Sequence, residues 1–261
     1  MFDLAQGVEM LRCNNAGIRF QGVPMPVREL LNRFSADAMP CQRRVAVQWV
    51  AAGILLPTWA NGAQAQMGLS GAINYAGWFR ALSQRMAKAY CQQYLQVLPG
   101  AAVDVMGLAR KMVQSGSNEL ARGMQSGQWP ADVGRQLADV QKQFALLNQL
   151  TAAPATQTAL VVAASEQADR TLLVAQTVTE SIEKMAQAPS ARLVNLAGRQ
   201  RMLSQRLAKN YFLNAAKVES KVVQAQLVAD AADFRQALQT LKAAPVSTPA
   251  IRSCLLYTSP S

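Results

Sequence analysis

Along most of this chain, apolar positions return with the period of an α-helix. Between Arg192 and Tyr211, Leu196, Leu203 and Leu207 fall on one stripe, the ordinary spacing of a core face. Val133, Leu137, Val140, Phe144 and Leu147 mark a second amphipathic stretch, Ala131 to Leu150. Breaks come at Pro99-Gly100, from Gly127 to Pro130, at Ala152-Ala153-Pro154, at Pro189 and at Pro245. The pattern predicts helices over Ser70–Leu98, Ala101–Met124, Ala131–Leu150 and Thr156–Ala188. A further helix runs from Ser190 to about Val218, with continuation to Leu241 left open. Ser70 and Ser190 stand where an N-cap is expected. Four helices make one bundle-sized unit, so the fold class is all-α.

One stretch occurs twice. Ile73–Tyr90 reads INYAGWFRALSQRMAKAY, and Val194–Tyr211 reads VNLAGRQRMLSQRLAKNY. Setting Asn74 on Asn195, the copies agree at 11 of 18 positions, which makes a repeat with a period of 121 residues. The stretch FRQALQTLKAAP (Phe234 to Pro245) echoes FALLNQLTAAP (Phe144 to Pro154), so the second repeat is shorter and reads as truncated.

Each copy carries a stripe of small residues with an arginine set in it: Ala76, Arg80, Ser83 and Ala87, then Ala197, Arg201, Ser204 and Ala208. Small residues admit a close neighbour, and an arginine among them is partly desolvated and needs a partner. No Asp or Glu lies within one turn of Arg80 or Arg201. The partner is therefore a carboxylate on another helix or an anion from outside. Gly77 and Gly198 precede those arginines by three residues. Each costs its helix roughly 1 kcal/mol relative to Ala, which suggests close approach of a backbone or ligand.

These residues carry a family resemblance. Asn-x-Ala-Gly-x-x-Arg-Met-x-Ser-x-Arg, as in Asn195–Arg206, resembles the box that opens the periplasmic sensor domain of nitrate/nitrite sensor kinases. The fuller NLAGRQRMLSQRLAK is still more similar to the N-terminal domain of type IV pilus methyl-accepting chemotaxis transducers. The resemblance spans roughly residues 69 to 252 and is strong in the two boxes. It implies an antiparallel helical bundle that senses a small oxyanion, with nitrate or nitrite the first candidate. It also implies that one anion is held between two box arginines at a dimer interface. Arg201 and Arg80 match that arginine, with Gly198 and Gly77 beside them; Arg199, Arg206 and Arg85 complete the expected anion-binding set. The first copy departs from the pattern, with Trp78, Phe79 and Ala81 where the second has Arg199, Gln200 and Met202. Arg201 is thus expected to matter more than Arg80.

Composition narrows the function classes. The 261 residues carry a formal charge of +11 and no His, yet no basic run with interleaved aromatics or nucleic-acid module accompanies that charge. No nucleic-acid partner is expected. Arg43-Arg44, the apolar Val45–Ala60 and Ala63-Gln64-Ala65 form the n-region, h-region and cleavage site of a signal peptide. Residues 1–38 then read as an over-extended start, 39–65 as the signal, 66–189 as the first repeat and 190–252 as the second, incomplete one. Residues 253–261 resemble translated sequencing-adapter read-through. The expected location is periplasmic, with an inner-membrane anchor facing the periplasm as the alternative. After cleavage only Cys91 remains outside the suspect tail, so no intrachain disulfide is expected. No metal cluster, cofactor motif or acid/base constellation is legible, and no enzyme is expected. The reading is an exported sensor-type domain, with homodimer or inter-box pairing and a membrane sensor as partners. Its rivals are a structural or partner-binding bundle with internal ion pairs, and the truncated ectodomain of a membrane chemoreceptor.

Overall fold

The computed structural model describes residues 68–252 except 126–128, 219 and 250. The expected start, signal segment, cleavage site and tail lie outside the described residues. Six helices follow in order: α1 (Leu69–Tyr94), α2 (Pro99–Met124), α3 (Ala131–Leu150), α4 (Thr158–Ala186), α5 (Pro189–Ala215) and α6 (Ser220–Ala243). All belong to one compact unit, and there is no strand among the described residues.

The prolines that read as stops are starts. Pro99 and Pro189 occupy the first turns of α2 and α5, where a missing N–H costs nothing and φ is already helical. This displaces the expected serine caps. The N-caps are Gly68 and Ala188, without side-chain cap bonds, and Ser70 and Ser190 lie inside the first turns. α1 ends early, at Tyr94. Gln96 takes φ 55° and the N–H of Val97 returns to Gln92 O at 2.9 Å, a helix stop built on a left-handed residue. Lys217 does the same with φ 57°, and Val218 N–H reaches Leu213 O at 3.0 Å. That stop separates α5 from α6, so the second box helix does not continue to Leu241.

Side-chain contacts fix the directions. Gln84 meets Ala168 and Tyr94 meets Thr158, so α4 runs antiparallel to α1. Asn195 meets Glu183 and Lys209 meets Asp169, so α5 runs antiparallel to α4. α1 and α5, the two box helices, are therefore parallel. α1 lies at the centre, packed on α2, α4 and α5, and is buried on nearly every side. Phe79 meets Phe144 of α3 edge-on at 5.8 Å, and Gly116 of α2 leaves room for its ring. The α5–α6 hairpin is held by Arg199–Asp233, Arg206–Asp230 and Gln200 to Phe234 O. The bundle is all-α as expected, and the box helices are the parallel pair within otherwise antiparallel neighbours.

Candidate functional site

The two boxes pack against each other in the register of the repeat. A Cβ built on Gly77 would lie 3.9 Å from Gly198 Cα, and one on Gly198 would lie 3.8 Å from Gly77 Cα. The two glycines thus mark the close backbone approach that their cost suggested. The space above them is filled by Arg80, whose Nη2 would stand 2.8 Å from a Gly198 Cβ.

The box arginines exchange contacts across this crossing. Arg80 Nη2 donates to Asn195 O at 3.3 Å, and Arg201 Nη2 donates to Asn74 Oδ1 at 2.6 Å. Asn74 and Asn195 are equivalent positions of the repeat, so each helix lends its arginine to the other's asparagine. Arg80 also donates from Nη1 to Gln176 Oε1 of α4 at 2.6 Å, while its Nε has no partner among the described residues. Neither arginine pairs with a carboxylate among the described residues.

Burial separates the two arginines, whose stripes read alike in the sequence. Arg80 is 0% exposed, as are Ala76 and Ser83 of its stripe. Arg201 and Ala197 are exposed. The reason is α4, which lies along the first stripe, whereas the second is open at Ala197 and Arg201, half-covered at Ser204 and buried at Ala208. Burial pushes the Arg80 guanidinium down to about 10, helped by the like charges of Arg199 and Arg201 and opposed by Glu180 and Glu183. Arg201 is exposed, yet enough protein surrounds it to lower its pKa as well.

The other expected ligands are mostly committed elsewhere. Arg199 bonds Asp233 at 2.6 Å in an exposed pair. Arg206 clasps Asp230 through Nε at 2.9 Å and through Nη2, and Asp230 is fully buried. Arg85 is half-buried, without a hydrogen-bond partner among the described residues. Lys209, 1% exposed, donates to both oxygens of Asp169 at 2.7 and 2.8 Å. A cleft of about 220 Å³ opens beside that pair, lined by Leu172, Arg206, Asn210 and Gln226 among others. Its charges are already matched internally. Tyr90 is buried with its hydroxyl unpartnered among the described residues, and Met86 and Met202 are core. No group of His, Cys, Asp or Glu among the described residues could hold a metal ion. No helix among them is long and apolar enough to cross a membrane.

Sequence reasoning missed Gln176, Glu183 and Asp169, the α4 residues that receive Arg80, Asn195 and Lys209. A signal was present: the three recur every seven residues, the spacing of one helix face.

These features define an all-α bundle organised on two paired box helices. Residues 185–253, which hold the second box and α6, match the PilJ family, the type IV pili methyl-accepting chemotaxis transducer N-terminal domain. For this segment, the resemblance read from NLAGRQRMLSQRLAK holds, and the domain it indicates is of a sensory, transducer type. No curated protein and no solved structure matches the chain.

Proposed function

We propose that this chain is an exported sensor-type domain that takes a small oxyanion between Arg80 and Arg201 and signals through the packing of its box helices. One observation carries the reading: two like-charged guanidinium groups converge at the Gly77–Gly198 crossing with only neutral hydrogen-bond acceptors. An anion between them relieves that repulsion and satisfies the forked donor geometry of arginine. Nitrate and nitrite come first through the family resemblance; the fork suits other oxyanions as well. The two-arginine site that the resemblance places between subunits would lie within one chain here. The reading involves no catalysis and feeds a chemotaxis-type or membrane sensor output.

Nitrate, nitrite, sulfate and chloride are to be titrated against the purified chain, with melting temperature as readout. Ligand at a hundredfold excess over its dissociation constant stabilises by about 2.7 kcal/mol. Arg201→Ala is expected to abolish the shift while leaving the fold intact, because Arg201 is exposed. An anion shift that persists in Arg201→Ala, or no shift with any of the four, sinks the reading. The structural alternative then gains, favoured already by the internal ion pairs of Arg199, Arg206 and Lys209.

A further inference from the structure

α4 does two jobs at once. Toward α1 it receives Arg80 on Gln176 and Gln84 on the Ala168 carbonyl. Toward α5 it receives Asn195 on Glu183 and Lys209 on Asp169. α1 and α5 are parallel, repeat-related and in register, so the opposite side of their contact offers the same four groups with the helices exchanged. Those groups are Arg201 and Gln205 on α5, and Asn74 and Lys88 on α1.

On that side the four lack the partners their copies have. Among the described residues the Arg201 guanidinium bonds only Asn74, the counterpart of Arg80's contact with Asn195. Among the described residues the Gln205 amide nitrogen makes no bond, whereas that of Gln84 reaches the Ala168 carbonyl; the Oε1 atoms of both are buried without a partner. The Asn74 amide nitrogen donates to nothing there. Lys88 is 3% exposed and has no carboxylate among the described residues, although Lys209, its copy, has Asp169. A buried ammonium left without an acid is costly. The stripe beside these groups, Ala197 and Arg201, is open to solvent where Ala76 and Arg80 are sealed.

We propose that the groove between α1 and α5, on the side away from α4, is the docking site for one helix of a partner polypeptide. That helix runs antiparallel to both boxes. It carries an acid facing Lys88, an amide facing Arg201 and a second acid facing Asn74, at seven-residue spacing. Charge complementarity selects the acids, since Lys88, Arg85 and Arg201 are all cationic and none pairs with a carboxylate among the described residues. Small Ala197 and Ser204 on the α5 stripe admit a close helix, as Ala76, Ser83 and Ala87 admit α4, while Ala208 is already buried. The inference rests on helix register and unpaired groups, and the docked helix engages Arg201, which the proposed anion site also uses.

A labelled peptide of sequence Gln157–Gln187 supplies the required stripe and is the probe. It is to be titrated against the full chain with fluorescence anisotropy as readout, and chain mass followed by sedimentation. One peptide is expected per chain. Asp169→Lys in the peptide is expected to weaken binding about tenfold, the size of one lost charge-assisted hydrogen bond. Lys88→Met in the chain is expected to do the same, while Lys209→Met, on the α4 side, leaves peptide affinity unchanged. Loss with Lys209→Met but not with Lys88→Met means that the peptide displaces α4, which overturns the proposal. Absence of binding overturns it too, as does a chain dimer that excludes the peptide and so assigns the groove to a second copy.

Discussion

A methyl group added at Gly198 would meet Arg80 Nη2 at 2.8 Å, and that guanidinium has nowhere to go: Gln176 and the Asn195 carbonyl pin it in a fully buried place. Gly198→Ala is therefore expected to destabilise despite the roughly 1 kcal/mol that Ala gains in a helix. Gly107 of α2, with nothing within 4 Å of its missing Cβ, is the control; Gly107→Ala is expected to stabilise by about 0.5–1 kcal/mol. Urea midpoints of the two variants against the parent decide the matter, and a stabilised Gly198→Ala would refute the pinned-arginine account. Lys88 gives a prediction in pH. Burial, then Arg85, pushes its ammonium down to about 8 from 10.5. Between these values the unfolded chain binds more protons at this site than the folded one, so stability rises with pH. The penalty, about 3 kcal/mol, is fully present below pH 8 and relieved toward 10.5. Cys91, pushed up by burial to about 12 from 9, acts oppositely from pH 9 upward, and Lys209, lowered by burial, adds to the rise, so the Lys88 share is read as the difference that Lys88→Met makes between pH 7 and 9. There Lys88→Met is expected to raise stability at pH 7 and to reduce the climb toward pH 9, read from denaturation midpoints. At this scale the sequence showed that Gly77 and Gly198 needed a close neighbour and that an arginine lay beside each. It could not show which arginine is buried, because the two stripes read alike and only the position of α4 tells them apart.

Elements were the most legible level. Helix periodicity and the Pro-Gly breaks located five of the helices within a few residues, because an amphipathic face buried in a bundle leaves its period in the chain. The ends were less legible. Left-handed Gln96 and Lys217 stop their helices without glycine, and a non-glycine stop has no signature in composition. The division of α5 from α6 was left open for that reason. The hairpin they form depends on Asp230, fully buried and bonded by Arg206 and Gln226. Removing one partner of such a buried pair costs about 3–5 kcal/mol. Asp230→Ala is expected to approach that cost and to lower hydrogen-exchange protection in α6 first, with α1 to α4 less affected. Uniform loss of protection across all six helices would show instead that the hairpin and the first four helices unfold as one. Arg206 entered the reading as an anion ligand because its acid lies 24 residues away on the next helix, beyond any local pattern.

For the whole molecule, the all-α class and the relation of the second box to the transducer family were readable from the chain, since both rest on local spacing. The pairing of the boxes was open between a homodimer and a contact within one chain, because sequence similarity says that two surfaces match and not who supplies them. The structure places both in one polypeptide, parallel and in the register of the repeat. Dilution cannot part them. An assembly of separate chains weakens as its concentration falls, whereas tethered surfaces meet at an effective concentration set by the intervening chain, which reaches the millimolar range for short flexible links. A response carried by this contact should have the same midpoint at nanomolar and micromolar protein. The tether also releases the two surfaces from having to be identical. In a symmetric dimer one substitution strikes both sides of the contact, but here Trp78 can face a different task from Arg199. One face is free to specialise in anchoring the core while the other stays open to whatever arrives.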